Sequence, residues 1–385
     1  MYLMHRKLSG HRSGTPRAPN RPGDTPYRTP GVYVESRPDR FPEIEPADLS
    51  AAAFVGITPR GPVGTAVAIE DMQAFTNTFG DVGSGHLGIA AGHFFANGGR
   101  RLYVVRICAP PETGDHTLAL LTALDGLDDL GLLALPGVTA TPVLSAAIRY
   151  CEARRHMITV ADCPPARTSV AHVRAFADGL RGPVALYHPW LRGIHAPVPV
   201  PPSGAVSGVL ARYQIEGCIW RSPAGPRAAL ADVTGVVHGY SRHELGELVR
   251  HNINPIRNLS GVVTPWGART LSDNPEHRYL GVLRFLGFVE ASIRRSTGWA
   301  LFEPNDHTTW TRLRASVEAF LDDQWRAGAL QGSWPEDAFF VRCDETTMTP
   351  ADLDEGRLVI LVGLAALRAS EFLGLRIELK RDAGP

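Results

Sequence analysis

Short apolar strands and helices alternate regularly through the middle of the chain, which narrows the possible folds. The predicted strands cover residues 102–107, 131–137, 156–164 and 183–190, and the predicted helices cover about 142–155, 169–180 and 204–213. Parallel neighbours in a sheet need a crossover connection, and a helix between two buried strands provides one. The sequence therefore predicts an α/β body built on a largely parallel sheet.

The last third of the chain is predicted to add longer helices to this body, which makes the fold mixed α+β. Residues 277–295 and 310–326 are amphipathic, with one apolar stripe each. Between them, WALFEPND (299–306) is predicted to form a strand that ends in a turn. Asp306 or Thr308 is then expected to cap the second helix.

Residues 1–30 differ from the rest of the chain in charge and composition. Six basic residues against the single acid Asp24 give this stretch a net charge of +5, whereas the whole chain sums to zero. Five prolines and four glycines or asparagines disfavour regular structure there, so the stretch is predicted to be an extended, flexible, basic arm. It could reach a partner, or it could be a solvated tail without a role.

A short strand is predicted at each end of the chain. The N-terminal strand follows the Pro-Gly turn of TPGVYVES (29–36) and consists of Val32, Tyr33, Val34 and Glu35. The C-terminal strand LRIELK (375–380) alternates cleanly, with Leu375, Ile377 and Leu379 on one face and Arg376, Glu378 and Lys380 on the other. Strands with unpaired backbone edges must pair with something, so both are candidate interaction elements.

No catalytic, cofactor or metal site is predicted. The loop GSGHLG (83–88) fits a dinucleotide fingerprint literally, but a helix and loop precede it, and the next strand ends near Arg106 rather than an acid. HELGE (243–247) begins like a zinc-protease helix but has Glu247 where the second histidine is needed. An α/β nucleotide-binding enzyme that uses the 83–88 loop remains the alternative reading.

The lysine and cysteine counts exclude further classes of function. Only two of the 39 basic residues are lysines, Lys7 and Lys380, so the body has no Walker or Schiff-base lysine. The five cysteines are widely spaced and form no CxxC, which favours a reducing compartment.

The longest apolar run, 358–367, is too short to cross a membrane. Zero net charge argues against a surface devoted to nucleic acid, although the basic arm alone could bind it.

Strings spread in order along residues 29–380 resemble contractile tail sheath proteins, which are found in contractile phage tails, R-type tailocins and extracellular contractile injection systems. The strings of the first half are TPGVYVES (29–36), AAFVGITPRGPVGTAV (52–67), FTNTFG (75–80), HFFANGGRRLYVVRI (93–107) and ALYHPW (185–190). Those of the second half are PPSGAVSGVLAR (201–212), INPIRNLSG (253–261), WGARTLS (266–272), ALFEPND (300–306), FLDDQWRAGALQG (320–332), AFFVRCDETT (338–347) and ASEF (369–372). Gln214 stands where the family commonly has an acid.

The resemblance implies a compact two-part sheath domain with an extended strand arm at each end. The expected division is an arm at 1–36, an N-terminal part at 37–252, a C-terminal, tube-facing part at 253–368 and a second arm at 369–385. Sheath subunits form stacked six-subunit rings around an inner tube, and their arms add strands to a neighbour's sheet.

The same resemblance implies a structural protein rather than an enzyme. Expected partners are copies of the chain, an inner tube protein, and baseplate and terminator or cap proteins, with no cofactor, no nucleic acid and no direct membrane insertion. The particle would assemble in the cytoplasm of the producing bacterium. Arg312, Arg314 and Arg326 are candidate tube-facing residues, and the alternative is that they lie on a solvated face or pair with acids one helical turn away.

Overall fold

The computed structural model describes residues 42–109, 113–194, 196, 198–366 and 373–379, the last of these by their backbone. The predicted strand Val32–Glu35 and the residue Lys380 lie outside the described residues. Residues from Phe41 onward form one compact unit.

An eight-stranded sheet organises the first two thirds of this unit. Its strands are β1 (Ala51–Ile57), β2 (Ala66–Ile69), β3 (Leu102–Ile107), β4 (Leu130–Ala134), β5 (Ile158–Asp162), β6 (Val184–His188), β9 (Asn254–Leu259) and β10 (Val262–Pro265), in the order β10-β9-β6-β5-β4-β1-β3-β2. The six central strands are parallel, and β2 and β10 run antiparallel at the two edges. The prediction of a largely parallel sheet is confirmed.

Helices cover both faces of this sheet. They are α1 (Met72–Phe79), α2 (His86–Ala96), α3 (Gly114–Leu121), α4 (Thr141–Arg154), α5 (Val170–Ala177), α6 (Ser203–Ile215) and α7 (Arg242–Arg250). Alternate strand residues enter separate cores: Ala52 and Phe54 pack with α2 and α6, whereas Ala53 and Val55 pack with α3 and α4. Strands buried on both faces read as continuous apolar runs, which explains why the strand signal in the sequence was strong. A two-stranded ribbon, β7 (Leu191–Gly193) and β8 (Val233–Val236), lies outside the sheet.

The last third packs around one central helix. Its elements are α8 (Leu280–Ser296), α9 (His307–Arg326), α10 (Pro335–Ala338), β11 (Phe339–Arg342), α11 (Pro350–Asp354), β12 (Leu358–Leu364) and β13 (Leu373–Leu379). Helix α8 contributes Leu280 and Leu283 to the core of the large sheet and Phe285 and Val289 to the core of the last third. Because one helix is shared by both cores, the two parts pack as a single unit.

The expectations about the last third have different outcomes. The strand predicted at 299–306 is wrong: Gly298–Phe302 is a short 3-10 helix, and its tryptophan, Trp299, stacks under the guanidinium of Arg312 instead of pairing in a sheet. The predicted cap is confirmed, since the carboxylate of Asp306 accepts from the backbone N–H groups of Thr308 and Thr309. The division at 252/253 stays a prediction, and strands β9 and β10, which follow it, pair within the eight-stranded sheet. Among the described residues no helix is both long and apolar enough to cross a membrane.

Candidate assembly interface

The C-terminal strand β13 is held along one edge of β12. The two strands run antiparallel over seven residue pairs, from Leu358 opposite Leu379 to Leu364 opposite Leu373. On its other edge β12 pairs with β11, so the three strands form a small sheet in the order β11-β12-β13. We call the β13-facing edge of β12 the strand slot. The predicted strand at 375–380 therefore forms, with bounds of 373–379.

The register agrees with the alternation seen in the sequence. Leu375, Ile377 and Leu379 stand opposite Val362, Ile360 and Leu358, and directly opposed residues of an antiparallel pair share one face of the sheet. Ile360 and Val362 are fully buried, and Leu358 is nearly so. A one-residue slip would move every apolar residue of β13 to the opposite face, so the pattern specifies one register.

The opposite side of the small sheet ends at β11, whose outer edge borders a groove of about 580 Å³. Pro335 of α10 and Phe339, Phe340 and Val341 of β11 are apolar lining residues, and Trp334, which precedes Pro335 in the chain, is 69% exposed. The acids lining this groove are Glu318, Asp322 and Glu336, and no basic residue is among the lining residues. We call this feature the β11 groove; it combines an apolar floor with an acidic rim.

The chain leaves the body for its N-terminal arm at a segment fixed against α8. The backbone N–H of Ala47 donates to Ser292 Oγ at 2.9 Å, and its carbonyl accepts from Gln214 Nε2 at 3.1 Å. The N–H of Glu45 donates to Ser296 Oγ at 2.9 Å. Sequence reasoning missed Ser292 and Ser296; Gln214 was noticed only as a departure from the family pattern. Residues 44–47 therefore form a fixed root for the arm.

The three arginines predicted to face a tube all lie on or at the end of α9, and each has an acidic partner in its own chain. Arg312 lies 3.9 Å from a Glu303 carboxylate oxygen and packs its guanidinium 4.9 Å from the Trp299 ring centroid. The Arg314 to Glu318 and Arg326 to Asp322 distances are 3.6 and 2.7 Å, both one helical turn apart. Pairing within a helix is the arrangement that the alternative reading expects. Exposed pairs of this kind contribute little free energy, so a partner could replace either acid.

The GSGHLG loop serves packing in this fold. It runs from a short 3-10 turn, Val82–Ser84, into α2, and a helix rather than a strand precedes it. A Cβ on Gly88 would lie 2.7 Å from the Val82 carbonyl oxygen, and one on Gly137 would lie 2.5 Å from His86. The glycines therefore let backbone and ring approach closely at the end of the sheet where an open α/β fold binds its ligand.

Titratable groups near this end of the sheet also make hydrogen bonds or ion pairs within the fold. The Asp162 carboxylate accepts from the backbone N–H of Gly137 and from both the N–H and hydroxyl of Ser203, while burial raises its pKa to about 6. His243 lies 3.9 Å from Glu247 on α7, an exposed pair. Within the described ranges no group of three or more His, Cys, Asp or Glu residues has the geometry to hold a metal ion.

The C-terminal part of the chain that carries these features is similar to a known protein family. Residues 272–380, which include α8, α9 and the whole β11-β12-β13 sheet, match the family described as "Phage tail sheath C-terminal domain". Over 179 residues the chain is 24% identical to the tail sheath protein of Enterobacteria phage T4. That match covers 46% of this chain and 26% of the phage protein, so the chain spans about a quarter of the length of this curated relative.

Solved structures extend the similarity to nearly the whole chain. The sheath complex of an extracellular contractile injection system, PVC, in its contracted state is 29% identical, with a TM-score of 0.75 over 92% of this chain and 98% of that one. A chain of the anti-feeding prophage baseplate, 6-fold symmetrised, is 28% identical, with a TM-score of 0.71 over 91% and 99%. The resemblance to contractile tail sheath proteins is thus confirmed in both sequence and fold.

Proposed function

We propose that this chain is a sheath subunit of a contractile phage tail or phage-tail-like injection particle. It has the fold of contractile sheath proteins, and its residues 272–380 match the model of their C-terminal domain. The observation that carries the proposal is the C-terminal strand docked along β12, within the part of the chain that matches the sheath family. A strand joined to its body only through the short segment 367–372 can pair with an identical slot on another copy without any change of contacts.

In this proposal the first partner is a further copy of the chain. Copies form six-subunit rings stacked as a helix, and exchanged arms join them into a mesh. One strand arm with roughly six backbone hydrogen bonds at about 1 kcal/mol each contributes only a few kcal/mol. Repetition over every subunit makes the mesh hard to break, while the segments between arm and body let the bodies rotate.

The N-terminal arm has its own proposed acceptor, the β11 groove of a neighbouring copy. Val32, Tyr33, Val34 and Glu35 would add a strand at the outer edge of β11, where the apolar floor suits the valines and the tyrosine. The arm, with a net charge of +4 over residues 1–36, complements the groove acid Glu336, and its basic residues would compete with Arg314 and Arg326 for Glu318 and Asp322. Eight residues, 36–43, separate this strand from the fixed root, and fully extended they reach about 28 Å.

The remaining partners follow from the sheath role. The C-terminal part, 253–368, faces an inner tube protein, with Arg312, Arg314 and Arg326 as candidate contacts, and the ends of the sheath meet baseplate and terminator or cap proteins. The extended sheath is metastable; after a baseplate signal its subunits rotate and repack, and the shortened sheath drives the tube through a target membrane. The sheath itself is not an enzyme and needs no cofactor. Assembly takes place in the cytoplasm of the producing bacterium.

Imaging of the purified chain tests this proposal. Negative-stain images of the chain mixed with its cognate tube are expected to contain rings or striated hollow tubes. Ile377→Pro should leave a folded subunit that makes neither, because proline weakens the ladder at the centre of β13. Ile377→Val, which keeps the backbone N–H and a β-branched apolar side chain, is the matched control and should still assemble.

Two outcomes would overturn the sheath function. A stable monomer that binds a nicotinamide dinucleotide tightly would favour the enzyme that uses residues 83–88. Salt-sensitive DNA binding that is lost on removal of residues 1–28 would instead favour a nucleic-acid module.

A further inference from the structure

The strand slot of β12 is filled by the chain's own β13. The seven-pair register leaves no unpaired length of β12 on this side, and β11 pairs with its other side. The slot therefore has room for one strand at a time, either this β13 or the β13 of another copy. Since both strands have the same sequence, the backbone register in the slot is the same in either case.

The connection between β12 and β13 is short and begins at a pinned point. The Ala365 carbonyl accepts from Gln331 N–H at 2.8 Å, the Ala365 N–H donates to the Ala338 carbonyl at 2.8 Å, and Ala366 bridges to Leu330. Only the six residues 367–372 separate Ala366 from the first residue of β13. Such a link holds β13 near its own slot at an effective concentration on the order of millimolar.

From these observations we propose that the free subunit is self-capped: its own β13 blocks the slot until a neighbouring body is brought into register. The inference rests on the proposed sheath function and adds a control on when assembly begins. At micromolar subunit concentration, the intramolecular pairing is favoured over pairing with another copy by about a thousandfold. Apposition of two bodies on a tube or baseplate removes that advantage, because the neighbour's slot is then equally close.

Self-capping has a physical benefit for a protein that must not polymerise in the wrong place. An empty slot would present the unpaired backbone of β12 next to the buried side chains of Ile360 and Val362, and such edges promote uncontrolled pairing. The closed strand hides this edge in the free subunit. Assembly then requires a template that aligns the bodies, after which exchange costs no contacts.

A cysteine pair across the slot tests the proposal in the full-length chain. Leu361 and Arg376 are opposed in the register, so Leu361→Cys with Arg376→Cys places two thiols at disulfide distance. The exposed native Cys108 is replaced by serine in every variant. Leu361→Cys with Leu379→Cys is the control, since Leu379 stands three pairs away, about 10 Å along the strand.

Oxidation of the free subunit is expected to give an intrachain disulfide, seen as a monomer band on a non-reducing gel, with at least 90% conversion. Oxidation of the same variant after assembly should instead give a ladder of cross-linked multimers. Subunits locked before assembly should not enter sheaths, and reduction should restore entry. Free subunits that cross-link between chains, or that do not cross-link while remaining folded, would overturn self-capping.

These readouts separate the inference from the sheath function on which it rests. If reduced subunits form no rings or tubes when the cognate tube is supplied, the proposed function fails, whereas the intrachain disulfide in free subunits still reports the closed strand. If locked subunits assemble as well as reduced ones, exchange is not needed and self-capping controls nothing. A folded state for each variant is checked by its circular dichroism spectrum and melting temperature before either conclusion is drawn.

Discussion

The fixed root of the N-terminal arm makes a sharp prediction for Ser292→Ala. The Ser292 hydroxyl accepts from the Ala47 N–H at 2.9 Å and donates to the Phe288 carbonyl at 2.7 Å. Ser292 is fully buried and Ala47 is 3% exposed, so alanine would leave the Ala47 N–H without a partner and without water. A buried unsatisfied donor costs about 1–3 kcal/mol.

That cost should appear locally, as easier opening of the segment that joins the arm to the body. The Ala47 amide proton should exchange with solvent roughly 5- to 150-fold faster, because about 1.4 kcal/mol corresponds to a factor of ten. Hydrogen exchange read by mass spectrometry over residues 42–50 measures this. The hydrogen bond from Gln214 to the Ala47 carbonyl persists in the variant, so the segment should loosen without detaching.

Ser296→Ala is the matched control on the same helix. Ser296 Oγ accepts from Glu45 N–H in an exposed setting, where water can replace the serine, so exchange should change less than threefold. Both substitutions gain about the same helix propensity, roughly 0.5 kcal/mol, which cancels in the comparison. Equal exchange rates in the two variants would refute the argument that burial of the Ala47 donor fixes the arm root.

Three further predictions concern other parts of the body. Burial lowers the pKa of His188 to about 4, so folding favours the neutral ring and the free energy of unfolding falls as pH drops from 6.5 toward 4. His188→Gln should remove about one proton from this pH dependence of stability. An unchanged pH profile in urea melts would contradict it. Gly208→Ala should lower the free energy of unfolding by about 1–3 kcal/mol in denaturant melts, because its Cβ would lie 2.4 Å from the Phe94 carbonyl oxygen. Gly246→Ala, whose Cβ would have no atom within 4 Å, should leave stability unchanged or raise it. Arg326→Gln should change stability by less than about 0.5 kcal/mol yet weaken co-sedimentation with the tube if Arg326 faces it, and Arg312→Gln should lower the melting temperature because Arg312 packs on Trp299.

Much of the fold was predictable because burial leaves a periodic trace in the sequence. Strands buried on both faces, such as β4 and β6, appear as mostly apolar runs, and the 3-10 segment at 298–302 was misread because it has a similar local composition. Its actual conformation depends on Trp299 meeting Arg312 from another helix, which no local window contains. The strand order and the close approach at Gly208 likewise depend on contacts between distant residues.

In the candidate interface, too, some features follow from local sequence and others depend on contacts between distant residues. The alternation of Leu375, Ile377 and Leu379 is sufficient to predict a strand with one apolar face, because apolar residues at every second position share one face of a strand. The pairing of this strand with β12, the acidic groove beside β11 and the partner of each α9 arginine could be read only from the folded chain. Periodicity records which face of an element is buried; the partner that buries it is selected by packing across the whole fold, and that information is not local.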